Sequence, residues 1–299
     1  MSLKNFNKIK KSIIFILNHP LVIGERSIAI FRYLKFHILS RINNKIRKIS
    51  FIEGTTLLIK RDLSGAATNY FTYISDFEEM LFMLHLLKSN KLFYDVGSNI
   101  GTWSILASGV VGCNSIAIEP IKETYMQLLK NIEINKINKK VKTYNFALGG
   151  ESDLVKMSNN YGALNRVVEN EDTFEFVEIF KLDHIAKKQY PNLIKIDVEG
   201  YEMEVINGAK ETLLSQNIEA VIIELNGHSI KYGYSDTKIN NKLLSLGFMP
   251  ISYNPFKREI LKLDSYNINS HNTIYIKDYS FIREQLESSQ YYQIGKYKI

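Results

Sequence analysis

Short apolar runs and stretches of helical periodicity alternate through most of the chain. Apolar residues that recur every three or four positions predict helices over residues 76–87, 124–135 and 238–246. The apolar runs between them predict buried strands over residues 92–96, 115–118, 141–147, 193–196 and 220–225. Strands that alternate with helices predict a doubly wound and mainly parallel sheet.

Weaker patterns predict the remaining elements. They indicate a flexible turn over residues 64–68, a loop over 159–162, an added strand over 174–179, a short helix from 181, and a closing antiparallel hairpin from 248–253 and 273–276.

Two of the predicted helices carry more detailed signals. Asp76 and Glu79 have the spacing of a capping box, in which an N-cap side chain and an acid three residues later satisfy free amides. In the helix over 124–135, the inward face is predicted to hold Met126, Leu129 and Ile132.

The turn after the first strong strand is the first sign of chemistry. Asp95 ends that strand, and Gly97 and Gly101 follow before a helical pattern begins. A dinucleotide site usually has Gly-x-Gly-x-x-Gly, and a carboxylate at the edge of the loop would repel a pyrophosphate. Asp95 favours a ligand with an adenosine and a cationic centre but no phosphate, which describes S-adenosylmethionine.

A second acid follows the next strand. Glu119 and Pro120 come directly after residues 115–118, and proline ends a strand because it has no amide hydrogen. An acid in this position is suited to accept hydrogen bonds from both ribose hydroxyls.

Polar residues also follow the two later strands. Asp197 ends the strand over 193–196, Glu199 comes next, and Asn226 and His228 follow residues 220–225. The carboxyl ends of parallel strands meet at one edge of a sheet, so these side chains are expected on the same rim as Asp95 and Glu119.

The basic charge is concentrated at one end of the chain. Residues 1–50 hold eleven Lys or Arg and one acid, whereas the remainder carries a formal charge of −3. Ile30, Phe31, Leu34 and Ile38 share one face of a predicted helix there, with Arg32, Lys35 and Arg41 around it. Two interpretations stay open, a helix that caps the main domain and a basic amphipathic helix on an anionic membrane.

Composition limits the cellular compartment and the class of protein that we expect. No apolar run approaches the ~20 residues of a membrane span, and no signal-peptide core is recognisable. Cys113 is the only cysteine, which excludes an intrachain disulfide and favours the cytoplasm, with contact at the inner membrane face as a further expectation. No nucleic-acid-binding motif is present.

These motifs together resemble the FkbM-type family of S-adenosylmethionine-dependent methyltransferases. The resemblance rests on residues 95–101, Glu119-Pro120, residues 195–202 and Gly208-Ala209, and it covers about residues 76–280. It implies a class I methyltransferase (Rossmann-like) α/β fold with seven strands, one of them antiparallel, and O-methylation of a sugar hydroxyl in a glycan or glycosylated metabolite. Ser98 stands where the family usually has alanine.

The resemblance also implies site residues. The cofactor is expected to contact Asp95, Gly97, Ser98, Asn99, Gly101, Glu119, Pro120 and Ala147. Asp197 and Glu199 are expected beside the transferred methyl group. A sugar hydroxyl is a poor nucleophile, so Asp197, Glu199 and His228 are the candidate bases, with Asp197 preferred. A divalent cation held by these acids is an alternative that the sequence does not favour.

The expected organisation has three parts. Residues 1–75 form a basic helical extension with a small β element, residues 76–280 form the methyltransferase domain, and residues 281–299 form a tail. Rival functions are an NAD-dependent oxidoreductase, which Asp95 disfavours, and a non-catalytic membrane- or glycan-binding protein that retains the fold.

Overall fold

The computed structural model describes residues 3–61, 64–158, 166–168, 173–187 and 189–299. The described helices are α1 Leu3–Asn18, α2 Arg26–Ile42, α3 Ser64–Thr72, α4 Phe77–Leu86, α5 Thr102–Ile105, α6 Lys122–Ile134, α7 Leu182–Ala186, α8 Glu202–Asn207, α9 Lys210–Leu214, α10 Asp236–Ser245 and α11 Tyr279–Glu287. The described strands are β1 Arg47–Ser50, β2 Thr56–Ile59, β3 Leu92–Val96, β4 Asn114–Ile118, β5 Val141–Tyr144, β6 Ala147–Leu148, β7 Asp153–Ser158, β8 Phe174–Phe180, β9 Leu193–Ile196, β10 Ala220–Glu224, β11 Met249–Asn254, β12 Glu259–Lys262, β13 Asn272–Ile276, β14 Gln293–Ile294 and β15 Tyr297–Lys298.

A large sheet organises these elements, in the strand order β12-β11-β13-β10-β9-β3-β4-β5. Strands β10, β9, β3, β4 and β5 run parallel to one another, and β13 runs antiparallel to both β10 and β11. Successive residues face opposite sides, so Phe93 packs with α4 while Tyr94 packs with α8 and α10. The predicted doubly wound α/β fold is confirmed.

The expected number of seven strands is wrong, because the sheet has eight strands in the part of the chain that the structure describes. The additional strand is β12 at the edge, which pairs antiparallel with β11. Of its four residues only Ile260 is buried, so an apolar pattern was too weak to reveal it. The predicted pairing of the runs at 248–253 and 273–276 is confirmed by β11 and β13.

The region after β5 differs from the prediction. The strand expected over residues 141–147 ends at Tyr144, and Ala147 begins β6 in a second sheet of order β6-β8-β7. The predicted strand over 174–179 is confirmed by β8, whereas β7 was missed because it begins with exposed residues. The loop predicted over 159–162 lies outside the described residues.

Two details of the helices are also wrong. Asp76 stands at the N-cap of α4, but its side chain makes no capping hydrogen bond. The Glu79 carboxylate accepts a hydrogen bond from the distant Ser270 hydroxyl at 2.9 Å. In α6, Met126 is exposed, because the inward face is rotated toward Gln127 and Asn131. The Asn131 side chain binds the backbone of β2 and of the turn before α5, so a polar contact sets the helix orientation.

The N-terminal segment forms a helical layer against the edge of the fold. The flexible turn expected over residues 64–68 is wrong, because these residues lie in α3, where Ala66 and Ala67 are buried with Tyr33 and Phe36 of α2. In the described residues, no helix combines the length and the apolar character needed to cross a membrane.

The last twenty residues also pack on the main fold. Ile282 and Leu286 of α11 are fully buried in the core, and the Tyr292 hydroxyl donates to the carbonyl of Leu84 at 3.0 Å. The division of the chain at residues 75 and 280 stays a prediction.

Candidate active site

A cavity of about 1100 Å³ lies at the carboxyl ends of β3, β4, β9 and β10. The position is the one where ligands bind in open parallel sheets. Eight of the predicted site residues line it, namely Gly97, Ser98, Asn99, Glu119, Pro120, Ala147, Asp197 and Glu199. Three others, Asp95, Gly101 and His228, are not among the lining residues.

The turn between β3 and α5 depends on Gly97. Gly97 has φ +75°, and a Cβ atom there would lie 1.8 Å from the backbone oxygen of Asp197. Only glycine permits both the left-handed backbone and this close approach of two strand ends. The turn therefore brings the first and the later motif of the sequence into direct contact.

Asp95 supports this turn from inside the protein. Its Oδ2 accepts hydrogen bonds from the amide and hydroxyl of Ser104, at 3.1 and 2.7 Å. Asp95 is fully buried, and burial raises the pKa of its carboxyl group. Its Oδ1 has no hydrogen-bond partner among the described residues. The side chain therefore orders the loop and the start of α5.

Glu119 is held in place by the backbone around it. Its Oε2 accepts from the amide of Asn99 at 2.9 Å, and its Oε1 accepts from the amide of Ile121 at 3.0 Å. Each oxygen has one further acceptor position, and the residue lines the cavity. Burial raises the pKa of Glu119 to about 7, with further increases from Asp95 and Asp197.

Both apolar and polar groups line the cavity together with Glu119. Phe146, Ala147 and Leu148 form an apolar part of the lining after β5. Ser98 also lines the cavity and is buried, and its hydroxyl has no partner among the described residues. The lining therefore combines an apolar wall, a bidentate acceptor and a free hydroxyl.

A buried ion pair occupies the end of β9. Lys195 is only 3% exposed, and its Nζ lies 2.8 Å from Oδ2 of Asp197 and 5.4 Å from the ring centroid of Trp103. Burial alone would lower the pKa of Lys195, but the carboxylates of Asp197 and Asp95 outweigh it and raise the pKa. The ion pair fixes Asp197 at the rim of the cavity.

Sequence reasoning missed Lys195, Asp76 and Glu224, which all line the cavity. A lysine within an otherwise apolar strand was the available signal for Lys195, because a lysine is almost never buried without a partner. Asp76 was interpreted as a helix cap, although its carboxyl faces the cavity. Burial there raises the pKa of Asp76, and Lys195 partly opposes the increase.

The loop from β9 to α8 is stabilised by Glu202. Its carboxylate accepts from the amides of Val198 and Gly200, at 3.3 and 3.0 Å, and from the Ser229 hydroxyl at 2.8 Å. Gly200 has φ +109°, and a Cβ there would lie 2.8 Å from the carbonyl oxygen of His228. These contacts join the loop to the residues after β10.

The same loop presents Glu199 next to His228. The carboxylate Oε2 of Glu199 lies 2.9 Å from Nδ1 of His228. Burial, followed by repulsion from Asp197 and Glu202, raises the pKa of Glu199 to about 8. Burial lowers the pKa of His228, and the positive charges of Lys231 and Arg166 lower it further. The two groups therefore form a hydrogen-bonded pair of titratable side chains whose pKa values are shifted in opposite directions.

Glu224 completes this acidic part of the lining. Burial and the neighbouring carboxylates raise the pKa of Glu224 to about 10, and its Oε2 has no partner among the described residues. Ligand atoms of Glu199, Glu224 and His228 lie within 4.8 Å of one another, an arrangement that fits a divalent cation. Asn226 is turned away, since its side chain accepts from the backbone amide of His228.

The N-terminal helices form the outer half of the cavity. Its lining there includes Phe15 of α1, Tyr33, Leu34 and Ile38 of α2, and Ala67 of α3. Sequence analysis did not predict this wall, because residues 1–75 lie outside the recognised motifs. The cavity is therefore polar at the strand ends and mainly apolar beneath the helices.

Comparison with known proteins decides the family. The profile of the methyltransferase FkbM domain matches residues 95–250, which is more than half of the chain. The chain belongs to the FkbM methyltransferase family. A curated relative, the hexuronic acid methyltransferase AglP of Haloferax volcanii, is 28% identical over 148 residues. That alignment covers 48% of this chain and 59% of AglP, so the chain spans about three fifths of the relative's length.

Solved structures similar to this member of the family are distant. A precorrin-6y C5,15-methyltransferase from Geobacter metallireducens has a TM-score of 0.38 and 12% identity, and the match covers 66% of this chain and 84% of that one. A protein of the NADB-Rossmann superfamily from Streptococcus agalactiae also has a TM-score of 0.38 and 12% identity, with coverage of 66% and 67%.

Proposed function

We propose that this FkbM methyltransferase uses S-adenosylmethionine to methylate a hydroxyl group of a sugar. The observation that carries the proposal is the single cavity that joins Gly97, Glu119 and Glu199 at the carboxyl ends of three neighbouring strands. The cofactor half accepts a nucleoside, and the adjoining half, whose lining includes Lys11, Arg41 and Arg61, accepts a hydroxyl-bearing sugar. The name of AglP, a hexuronic acid methyltransferase, supports a sugar acceptor.

The residues present fit the proposed cofactor. Glu119 offers one free acceptor position on each carboxylate oxygen, which suits the two ribose hydroxyls. Phe146 and Ala147 provide an apolar wall for an adenine ring, and the free hydroxyl of Ser98 offers a further polar contact. The region around Asp197 and Glu199 is acidic and suits a cationic centre. When bound, S-adenosylmethionine supplies an activated methyl group on a sulfonium.

The acceptor hydroxyl must lose its proton, and the Glu199–His228 pair is positioned to receive it. Asp197 already binds Lys195 at 2.8 Å, so this carboxylate has a strong partner. Glu199 lines the cavity, and its pKa of about 8 makes its anion a stronger base than an ordinary carboxylate. Assignment of Asp197 itself as the base stays a prediction that variants can decide.

Glu224 has a different proposed role. Burial and the neighbouring carboxylates raise its pKa, which favours the protonated form. A protonated carboxyl group can donate a hydrogen bond to an acceptor oxygen and thereby orient the hydroxyl. If a divalent cation instead occupies Glu199, Glu224 and His228, it would lower the pKa of the bound hydroxyl and the same three residues would act as ligands.

The test is methyl transfer from isotopically labelled S-adenosylmethionine to sugars with free hydroxyls, including hexuronic acids, followed by mass spectrometry. Label in an ether of the sugar supports the proposal. Label at a carboxylate as an ester, or no transfer to any sugar while S-adenosylmethionine binds, contradicts it. Activity that EDTA abolishes and Mg²⁺ restores would assign Glu199, Glu224 and His228 to a metal site.

A further inference from the structure

Helix α2 is apolar on two opposite faces. Its residues Ala29, Tyr33, Phe36 and Ser40 are buried against the protein. About half a turn away, Phe31, Leu34, Ile38 and Ile42 are 63, 50, 56 and 77% exposed. Single exposed apolar residues are common on protein surfaces, but an ordered stripe of four large ones marks an interaction site. This outer stripe is not needed to hold α2 on the domain.

The stripe belongs to a wider apolar surface on the first helices. In the described part of the chain, 21 large apolar side chains are exposed, and ten of them lie before residue 50. They include Ile14 and Phe15 of α1 and Ile23 in the connection to α2. We name the exposed residues of α1, α2 and their connection the α1–α2 face. One sixth of the chain therefore carries almost half of the exposed apolar groups.

Positive charge surrounds the same surface. Residues 1–50 contain eleven Lys or Arg and one acid, whereas the remainder of the chain is slightly negative. Lys10 and Lys11 of α1 and Lys35 and Arg41 of α2 are exposed on this face. Lys35 lies over the ring of Phe31, with Nζ 5.9 Å from the centroid. Cations that border an apolar stripe are typical of helices that lie in a lipid headgroup region.

We propose that the α1–α2 face docks on an anionic lipid bilayer. The large apolar side chains of α2 enter the boundary between headgroups and acyl chains, and the surrounding cations bind lipid phosphates. A second copy of the chain is a poorer occupant, because two strongly basic surfaces repel each other when they meet. A bilayer with negative lipids matches both the apolar and the charged component of the face.

The opening of the cavity lies on the same α1–α2 face that is proposed to dock on the bilayer. Leu34, Ile38 and Arg41 are exposed on the α1–α2 face and also line the cavity. Residues that are exposed to solvent and also line the cavity mark the place where the cavity opens. Docking therefore turns this opening toward the membrane, so an acceptor molecule reaches the site from the lipid surface.

The test is co-sedimentation of the full chain with phosphatidylcholine vesicles, with or without phosphatidylglycerol. The variant Ile28→Ser/Phe31→Ser/Ile42→Ser removes three exposed apolar side chains of α2 that do not line the cavity. Its matched control is Ile230→Ser/Leu261→Ser/Ile268→Ser, where the side chains are 69, 66 and 80% exposed elsewhere. Equal thermal unfolding of all proteins shows that folding is unaffected.

We expect wild type and control to bind the anionic vesicles, with weaker binding in high salt, and the α2 variant to bind at least about tenfold more weakly. A Phe31→Trp reporter should shift its fluorescence to the blue on binding, against the background of Trp103, which is buried. Absence of wild-type binding at low salt, or equal binding by the α2 variant, overturns the proposal. A concentration-dependent dimer that the α2 variant abolishes also overturns it, in favour of self-association.

Discussion

The two halves of the cavity are constructed in different ways. At the strand ends, Gly97, Glu119 and Glu199 are fixed by close backbone approach and by hydrogen bonds of 2.9–3.0 Å to nearby amides or to His228. Beneath the N-terminal helices, the lining consists mainly of apolar side chains such as Leu34 and Ala67. The first half positions individual polar atoms, whereas the second provides a shaped apolar surface.

The two halves of the cavity therefore have different expected roles, methyl transfer at the strand ends and recognition of the acceptor beneath the helices. The strand-end half contains every residue proposed to contact the cofactor or to receive the proton. The helical half contributes shape, and its residues can change without altering the backbone turns that position Glu119 and Glu199. We therefore expect substitutions in the two halves to affect different kinetic constants.

The largest expected effect is on turnover. Glu199→Gln keeps the shape of the side chain and removes its basicity, so the methylation rate should fall by about 10²–10⁴-fold. Cofactor affinity should change little, because Glu119 and not Glu199 is the proposed ribose acceptor. Single-turnover rates with saturating S-adenosylmethionine and isothermal titration with S-adenosylhomocysteine measure the two quantities separately. Glu211→Gln, on the exposed surface of α9, is the matched control.

Two further variants identify the base. Asp197→Asn and His228→Ala should be compared with Glu199→Gln in the same assay. A large loss in both Glu199→Gln and His228→Ala supports the pair, whereas a loss confined to Asp197→Asn assigns the proton to Asp197. If all three variants retain nearly normal rates, the strand-end half does not contain the base. The proposed division of roles between the two halves of the cavity would then be wrong.

A smaller effect is expected from the helical half. Leu34→Ala removes part of its apolar lining, so the KM for the acceptor should rise by about fivefold while the affinity for S-adenosylhomocysteine stays unchanged. Leu244→Ala, which is exposed on α10 and does not line the cavity, is the control. A parallel loss of cofactor affinity in Leu34→Ala would show that the two halves are not separate.

A further effect of similar size is expected in the pH dependence of cofactor binding. The pKa of Glu119 is raised to about 7, and only its charged form is a full bidentate acceptor. Affinity for S-adenosylhomocysteine should therefore be constant above the pKa and fall as the pH drops below it, by up to about tenfold at pH 6. Glu119→Gln should flatten this profile. Affinity that rises on acidification would contradict the role.

The residues of the strand-end half could be placed on one rim from the sequence, because their signals are local. A glycine after a strand, an acid at the end of the next strand and the pattern over residues 195–202 each depend on neighbours in the chain. The contact between Gly97 and the backbone of Asp197 joins distant segments, but the parallel topology implied it. Glu199 and His228 were likewise expected on a common rim, but their contact at 2.9 Å was not predicted.

Other features depended on contacts that no local pattern encodes. Asp76 has the spacing of a helix cap, yet the buried Lys195 and the cavity determine where its carboxyl lies. Met126 fits a helical period, but hydrogen bonds of Asn131 to distant backbone rotate α6. The helical wall of the cavity was missed because α2 has two apolar faces, and periodicity does not say which face packs inward.

The central claim is that the strand-end half binds S-adenosylmethionine through Glu119, and calorimetry with S-adenosylhomocysteine and NAD tests it most directly. We predict that the wild type binds S-adenosylhomocysteine and not NAD. We also predict that Glu119→Ala weakens binding by roughly 1.5–3 kcal/mol, because a charged bidentate acceptor is lost, while the exposed control Glu133→Ala does not. Unchanged affinity in a folded Glu119→Ala protein, or binding of NAD in place of S-adenosylhomocysteine, would contradict the account.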